Sequence, residues 1–263
     1  MAVADKQHFV HVNGVNLNLV DAGTGSPTLL FLHFWGGSSR TWGPVIDLLS
    51  RDNRCLAVDF RGWGRSSKDA DRYDLSVLAD DVEGLVAALE LTDFVIVGHS
   101  MGGKVAQILA GRALQGLKQL ILIAPAPPTA LQAPEEQRDQ MLESYQSRDG
   151  AEQAIKVLTA NPLPQSRRET VIGDILSGSP EAKRAWTENG MIEDISAQAA
   201  RIKIAVHVVV GSADVVEPEP SLRSAFGKVI PRTAFTVIPG AGHLSPLEAT
   251  TELAAAIRAA QAI

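Results

Sequence analysis

Three side chains of complementary chemistry stand far apart in this chain, each just past an apolar run. Ser100 lies in Gly98-His99-Ser100-Met101-Gly102, after Phe94-Val95-Ile96-Val97 and before a helix-like stretch opening Gly103-Lys104-Val105-Ala106. A G-x-S-x-G set between a strand and a helix forces its serine into a strained turn, and the small flanking residues leave the hydroxyl clear of the backbone. Asp214 follows Val206-His207-Val208-Val209-Val210-Gly211, and His243 closes Pro239-Gly240-Ala241-Gly242-His243 after Thr233 to Ile238. A serine hydroxyl is too weakly acidic to attack a carbonyl unaided at neutral pH. An imidazole must take its proton, and a carboxylate must hold that imidazole in one tautomer. The expected roles are Ser100 as nucleophile, His243 as base and Asp214 as the orienting acid. Glu217 and Glu219 are rivals for the last role, but Asp214 alone falls three residues past the Gly211 that ends a strand.

Something must hold these residues together. Gln7 to Val12 and Val15 to Val20 flank Asn13-Gly14, a dipeptide that accepts the positive φ of a two-residue hairpin, which predicts an antiparallel edge. Apolar runs at 28 to 32, 55 to 58, 94 to 97 and 119 to 124 then alternate with helical segments at 41 to 50, 75 to 89 and 103 to 113. That rhythm predicts parallel strands joined by crossover helices, and unbroken apolar runs suit strands buried on both faces. It breaks at Pro125-Ala126-Pro127-Pro128 and resumes with 206 to 210, 219 to 227, 234 to 238 and 246 to 261, giving eight strands. The interval reads as an insertion of four short helices, Glu135 to Ser147, Ala151 to Leu158, Ser166 to Leu176 and Pro180 to Asn189, separated by Pro and Gly.

Nucleophile, acid and histidine in that order, each on a loop after a strand, resemble the α/β-hydrolase family over nearly the whole chain. The resemblance extends to His33-Phe34-Trp35-Gly36-Gly37-Ser38, where members carry a His-Gly-x-x-Gly loop and where Phe34 stands in place of the first glycine. It implies an oxyanion hole made by the backbone N–H groups of Trp35 and Met101, with His33 and His99 as structural supports. Asp59-Phe60-Arg61-Gly62-Trp63-Gly64-Arg65-Ser66 resembles the family's D-x-x-G-x-G-x-S turn and reads as scaffold. The implied fold is an eight-stranded, mostly parallel sheet flanked by helices. Its core spans 1 to 128 and 201 to 263, and residues 129 to 200 form a helical cap. The substrate pocket is expected to be hydrophobic and uncharged, lined by Phe34 and Trp35 and completed from the cap by Met141, Leu142, Trp186 or Met191.

Composition narrows the partners. The 263 residues, 45% apolar, suit one α/β domain with an insertion. A net charge of −6, with no Lys/Arg block longer than a pair such as Arg167-Arg168, argues against nucleic acid. Cys55 is the single cysteine, which rules out an internal disulfide and is compatible with a reducing compartment. His8 and His11 are three apart in a predicted strand and face opposite ways, so no metal and no cofactor are expected. Met1 to His8 lacks the basic start and apolar core of a leader, and no run is long enough to span a membrane, which together predict a cytoplasmic protein.

Serine at the elbow disfavours an alkyl-enzyme route, which needs a carboxylate there. Acyl transfer remains, and a carboxylesterase cleaving a hydrophobic, uncharged ester through an acyl-enzyme on Ser100 is the first expectation. Lactonase action, including on acyl-homoserine lactones, amide or carbon–carbon hydrolysis and cofactor-free perhydrolysis use the same parts. A non-catalytic ligand receptor on this fold is the contrasting reading.

Overall fold

A computed structural model describes residues 6–262. Residues 1–5, which carry part of the no-leader expectation, lie outside the described residues. In chain order the body begins β1 (Lys6–Val12), β2 (Val15–Ala22), β3 (Thr28–Leu32), α1 (Gly43–Leu49), β4 (Cys55–Val58) and α2 (Leu75–Ala88). It continues with β5 (Phe94–His99), α3 (Met101–Gly111) and β6 (Leu117–Ile123). The helices α4 (Glu135–Ser144), α5 (Arg148–Leu158), α6 (Gln165–Ser177), α7 (Pro180–Ala185) and α8 (Ser196–Ala199) intervene. β7 (Ala205–Gly211), α9 (Glu219–Val229), β8 (Ala234–Ile238), α10 (Ser245–Glu248) and α11 (Thr250–Gln261) complete it.

Among the described residues the eight strands form one sheet in the order β1-β2-β4-β3-β5-β6-β7-β8. β2 runs antiparallel to both of its neighbours, and every other pairing is parallel. The β1–β2 hairpin turns on Asn13 (φ 47°) and Gly14 (φ 77°), the pair of left-handed residues that a tight primed turn requires. Alternate side chains divide the core into two layers. Leu30 and Leu32 of β3 and Ile96 of β5 join one apolar cluster, whereas Leu29, Phe31, Val95 and Val97 join the other. The second layer is covered by α1 and α11 through Ile46, Leu253 and Ile257, and by Trp42 just ahead of α1.

The first layer is covered by α2, α3 and α9, and it runs on without a break into the helices between β6 and β7: Tyr145, Ile155, Val171, Ile175 and Trp186 belong to the same cluster. These helices differ in detail from their sequence reading. Ser147 caps α5 by accepting from Gly150 N at 3.1 Å, so α4 stops at Ser144 and α5 starts at Arg148. Trp186 to Gly190 form a widened turn in which Met191 N donates to Trp186 O at 2.9 Å, and the short α8 was not anticipated. At the C-terminus, the expected single helix from 246 is broken at Ala249 into α10 and α11. No helix among the described residues is long and apolar enough to cross a membrane.

Candidate active site

Ser100 stands between β5 and α3 at φ 51° and ψ −115°, a conformation unfavourable for any residue with a Cβ. The surroundings over-determine it. Ser100 N donates to Ile123 O of β6, and Ser100 O accepts from Ala126 N and Lys104 N, each at 3.1 Å. The two motif glycines are required by close approach: a Cβ on Gly98 would sit 2.7 Å from Gly102 O, and one on Gly102 would sit 2.6 Å from both Leu32 O and His33 O. The elbow is therefore wedged against the loop that follows β3. The Ser100 side chain is partly exposed and makes no hydrogen bond among the described residues, so the hydroxyl is not bonded to His243 in this conformation. Such contacts are often loose until substrate binds.

The acid and the histidine do meet. His243 Nδ1 lies 2.9 Å from Asp214 Oδ2, and both side chains are buried. Asp214 Oδ1 accepts from the N–H groups of Val216 (2.8 Å) and Glu217 (2.9 Å). Burial alone would raise the Asp214 carboxyl, but the imidazole and these two N–H groups outweigh it and hold the carboxyl below its ordinary value. Gly211 makes the meeting possible, because a Cβ there would lie 2.0 Å from Ala241 O of the histidine loop. The rival acids are placed elsewhere: Glu219 accepts from Arg223 at 2.6 Å, and Glu217, though buried, contributes its backbone rather than its carboxyl to the pair. Burial first, and the charge of Asp214 second, push the Glu217 carboxyl well above the usual glutamate range.

His99 Nε2 donates to His243 O at 2.9 Å, fastening the histidine loop to the residue before Ser100, with the two rings 5.1 Å apart. Burial, then the proximity of His243, keeps His99 neutral, which suits an Nε2–H tautomer. His33 donates from Nδ1 to Phe34 O (2.7 Å) and accepts at Nε2 from Phe60 N (3.1 Å). Only a neutral ring can do both, and burial lowers its basicity accordingly. The loop itself turns over Phe34 to Gly37, closed by Gly37 N to Phe34 O at 3.0 Å, with the positive φ falling on Gly36 (90°). Phe34 keeps an ordinary negative φ, so the missing family glycine imposes no backbone strain at that position. Its ring packs on His99 at 5.2 Å, in space left by Gly37.

Among the described residues neither Trp35 N nor Met101 N donates a hydrogen bond, and Met101 N opens α3, where the helix dipole favours negative charge. The D-x-x-G-x-G-x-S turn braces this loop: Asp59 accepts from Ser39 N (2.6 Å), Asn18 Nδ2 (2.9 Å) and Arg65 N (2.8 Å).

Beside Met101 lies a small cavity of about 10 Å3, walled by Trp63, Tyr73, Leu75, Leu78, Ala182, Ala185, Trp186 and Gly190. Arg61 is the one charge on its wall, and Asp81 neutralises it through two 2.6 Å contacts. Of the residues expected to line a pocket, Trp186 faces this cavity; Phe34, Trp35, Met141, Leu142 and Met191 lie outside its wall. Met141 packs half-buried against the core, Leu142 is half-buried on α4, which buries no residue fully, and Met191 is buried with its carbonyl turned to Lys104.

Three contacts between the inserted helices and the body are not among those the sequence leads one to expect. Lys104 is wholly buried on α3 and donates to Gly190 O (3.1 Å) and Met191 O (3.4 Å); burial drops its pKa to about 8, against the pull of Glu193 and Glu217. Asp174 of α6 accepts from Ser38 Oγ (2.8 Å) and pairs with Arg40. Tyr145, after α4, stacks on Trp35. For Lys104 a signal existed: a lone charge in the otherwise uncharged and largely apolar helix Met101 to Gly111 has no solvent face to occupy.

The fold and the serine elbow define a class, and comparison with known proteins agrees. The chain belongs to the alpha/beta hydrolase family, whose model matches residues 29–256. It is 26% identical over 256 residues to a putative non-heme chloroperoxidase of Synechocystis sp., covering 87% of this chain and 88% of that one. Among solved structures, a thermophilic esterase from Thermogutta terrifontis superposes with a TM-score of 0.78 at 30% identity over 96% of this chain and 97% of its own. An esterase from Exiguobacterium antarcticum gives 0.86 at 20% identity over 95% and 97%.

Proposed function

We propose that the chain is a serine carboxylesterase acting on small, uncharged esters. The observation that carries this reading is the bonded Asp214–His243 pair, tied through His99 to an elbow that holds Ser100 at φ 51°. In the first half-reaction Ser100 Oγ attacks the ester carbonyl while His243 takes its proton, and the oxyanion is met by Trp35 N–H and Met101 N–H. The tetrahedral species collapses, His243 returns the proton to the departing alcohol, and water repeats the sequence on the acyl-enzyme. Asp214 keeps the imidazole oriented and offsets its charge throughout. The apolar wall of the cavity beside Met101, its one charge already paired, suits an uncharged acyl group. Residues 129 to 200 act as a cap, and its Trp186 must shift for an acyl chain to enter a space this small.

A second reading, cofactor-free perhydrolysis, is favoured by the likeness to a relative named as a chloroperoxidase: hydrogen peroxide would replace water on the same acyl-enzyme. Lactone opening uses the same steps on a cyclic ester. One panel decides among these: p-nitrophenyl esters of graded chain length, lactones, and peracid formation from acetate and peroxide. Ser100→Ala is expected to lose turnover by about 10^3-fold or more on each accepted substrate, and a fluorophosphonate is expected to label Ser100. Turnover retained in Ser100→Ala overturns the mechanism, and ligand binding with no turnover in the parent chain favours the receptor.

A further inference from the structure

The side chain whose contacts go furthest beyond the three catalytic candidates is Tyr145, contributed by the insertion rather than by the body. Its ring lies flat on the Trp35 indole, centroids 3.7 Å apart and planes 11° from parallel, and its hydroxyl donates to Trp35 O at 3.2 Å. The approach depends on Gly36, where a Cβ would fall 2.4 Å from Tyr145 Cε2. Tyr145 is itself anchored, since its carbonyl accepts from the buried Lys183 Nζ of α7 at 2.8 Å. Burial pushes the phenol upward, so it remains a protonated donor across the working pH range.

The consequence follows from peptide geometry. Phe34 C=O and Trp35 N–H are opposite edges of one planar peptide unit, so fixing the carbonyl aims the N–H. His33 and Gly37 N hold that carbonyl. The next unit, Trp35 to Gly36, shares the Trp35 Cα with it, and the Tyr145 hydroxyl and ring hold that residue's carbonyl and side chain. We propose that Tyr145 is a positioning residue: by holding the Trp35 ring and carbonyl from the insertion it fixes the Trp35 Cα on which the Phe34–Trp35 peptide ends, and together with the His33 and Gly37 contacts to Phe34 O it keeps the Trp35 N–H aimed at a developing oxyanion. This rests on the reading of Trp35 N–H as an oxyanion donor. It makes the oxyanion loop shared property of the body and the inserted helices. Displacing α4 from Trp35 then slackens the oxyanion hole while leaving Ser100, His243 and Asp214 where they are.

The test uses the full chain with Tyr145→Phe, which keeps the stack and removes the hydroxyl, and Tyr145→Leu, which removes both. A lost neutral hydrogen bond that aims a transition-state contact is expected to lower kcat on p-nitrophenyl butyrate by about threefold to tenfold in Tyr145→Phe, with KM within about twofold. Tyr145→Leu is expected to lose about tenfold more, provided it folds. Inhibition by a phenylboronic acid, which mimics the tetrahedral adduct on serine, should weaken by the same factors, whereas binding of the uncleaved butyramide should not change. Tyr145→Phe with parent kcat and parent boronate inhibition overturns the proposal, as does a loss confined to KM. Full turnover in Ser100→Ala, by contrast, overturns the hydrolase reading itself, whatever Tyr145 does.

Discussion

The sheet and the inserted helices solve the same problem, holding side chains still, by different physics. In the body, each candidate catalytic residue follows a parallel strand, fully buried in β5, nearly so in β7 and half-buried at the sheet edge in β8, and glycines at Gly98, Gly102 and Gly211 let neighbouring backbones touch. Close packing of backbone on backbone leaves Ser100, Asp214 and His243 little freedom. The helices from α4 to α8 have no separate apolar cluster; their buried residues join the body's, and polar side chains secure them: Tyr145 to Trp35, Asp174 to Ser38 and Arg40, Lys104 to Gly190 and Met191.

The comparison can be broken with one kind of substitution made in each region. Asp214→Asn should keep the fold, with a melting temperature within a few degrees, yet lose about 10^3- to 10^4-fold in kcat, because an amide favours the wrong imidazole tautomer. Steady-state kinetics beside a thermal melt reads both. Asp174→Asn should do the reverse: a loss of about 1 to 2 kcal/mol in urea unfolding as Arg40 and Ser38 lose a buried carboxylate, discounted because Arg40 is largely exposed, with kcat changed less than about threefold. A large rate loss in Asp174→Asn would erase the distinction between the two regions.

A smaller effect sharpens it. Glu217 is a buried acid whose pKa is raised above its ordinary 4.5, first by burial and then by Asp214, so over that window the folded chain holds more protons than the unfolded one. Stability contributed by this group therefore falls as pH rises from 4.5 through the raised value. Glu217→Gln should be more stable than the parent at pH 8, and the gap should close on acidification toward pH 4.5; thermal melts across that range decide it. A gap that does not vary with pH would mean Glu217 ionises without cost where it lies.

Legibility followed the same division. β3, β4 and β8 fall at the residues their apolar runs mark, and the hairpin turns where Asn13-Gly14 requires, because period and turn chemistry are local properties. The three candidate catalytic residues were legible because each follows such a run. The helical insertion was legible only in outline: its propensities are weak, and α4 buries no residue fully. Met141 and Leu142 were reasonable candidates for a pocket, but the side chain that reaches the loop after β3 is Tyr145, which follows the last turn of α4.

The sequence by itself determined the alternation of strands and helices, the glycines at the elbow and the three residue types able to move a proton and form an acyl bond. It could do so because those are properties of neighbours along the chain. Tertiary structure alone decided that His243 bonds Asp214 rather than Glu217, that Phe34 replaces a glycine without strain, and that Tyr145 and Lys104 tie the inserted helices to the body. Each of these depends on the distance between segments separated by many residues, which only the packed sheet and its covering helices set.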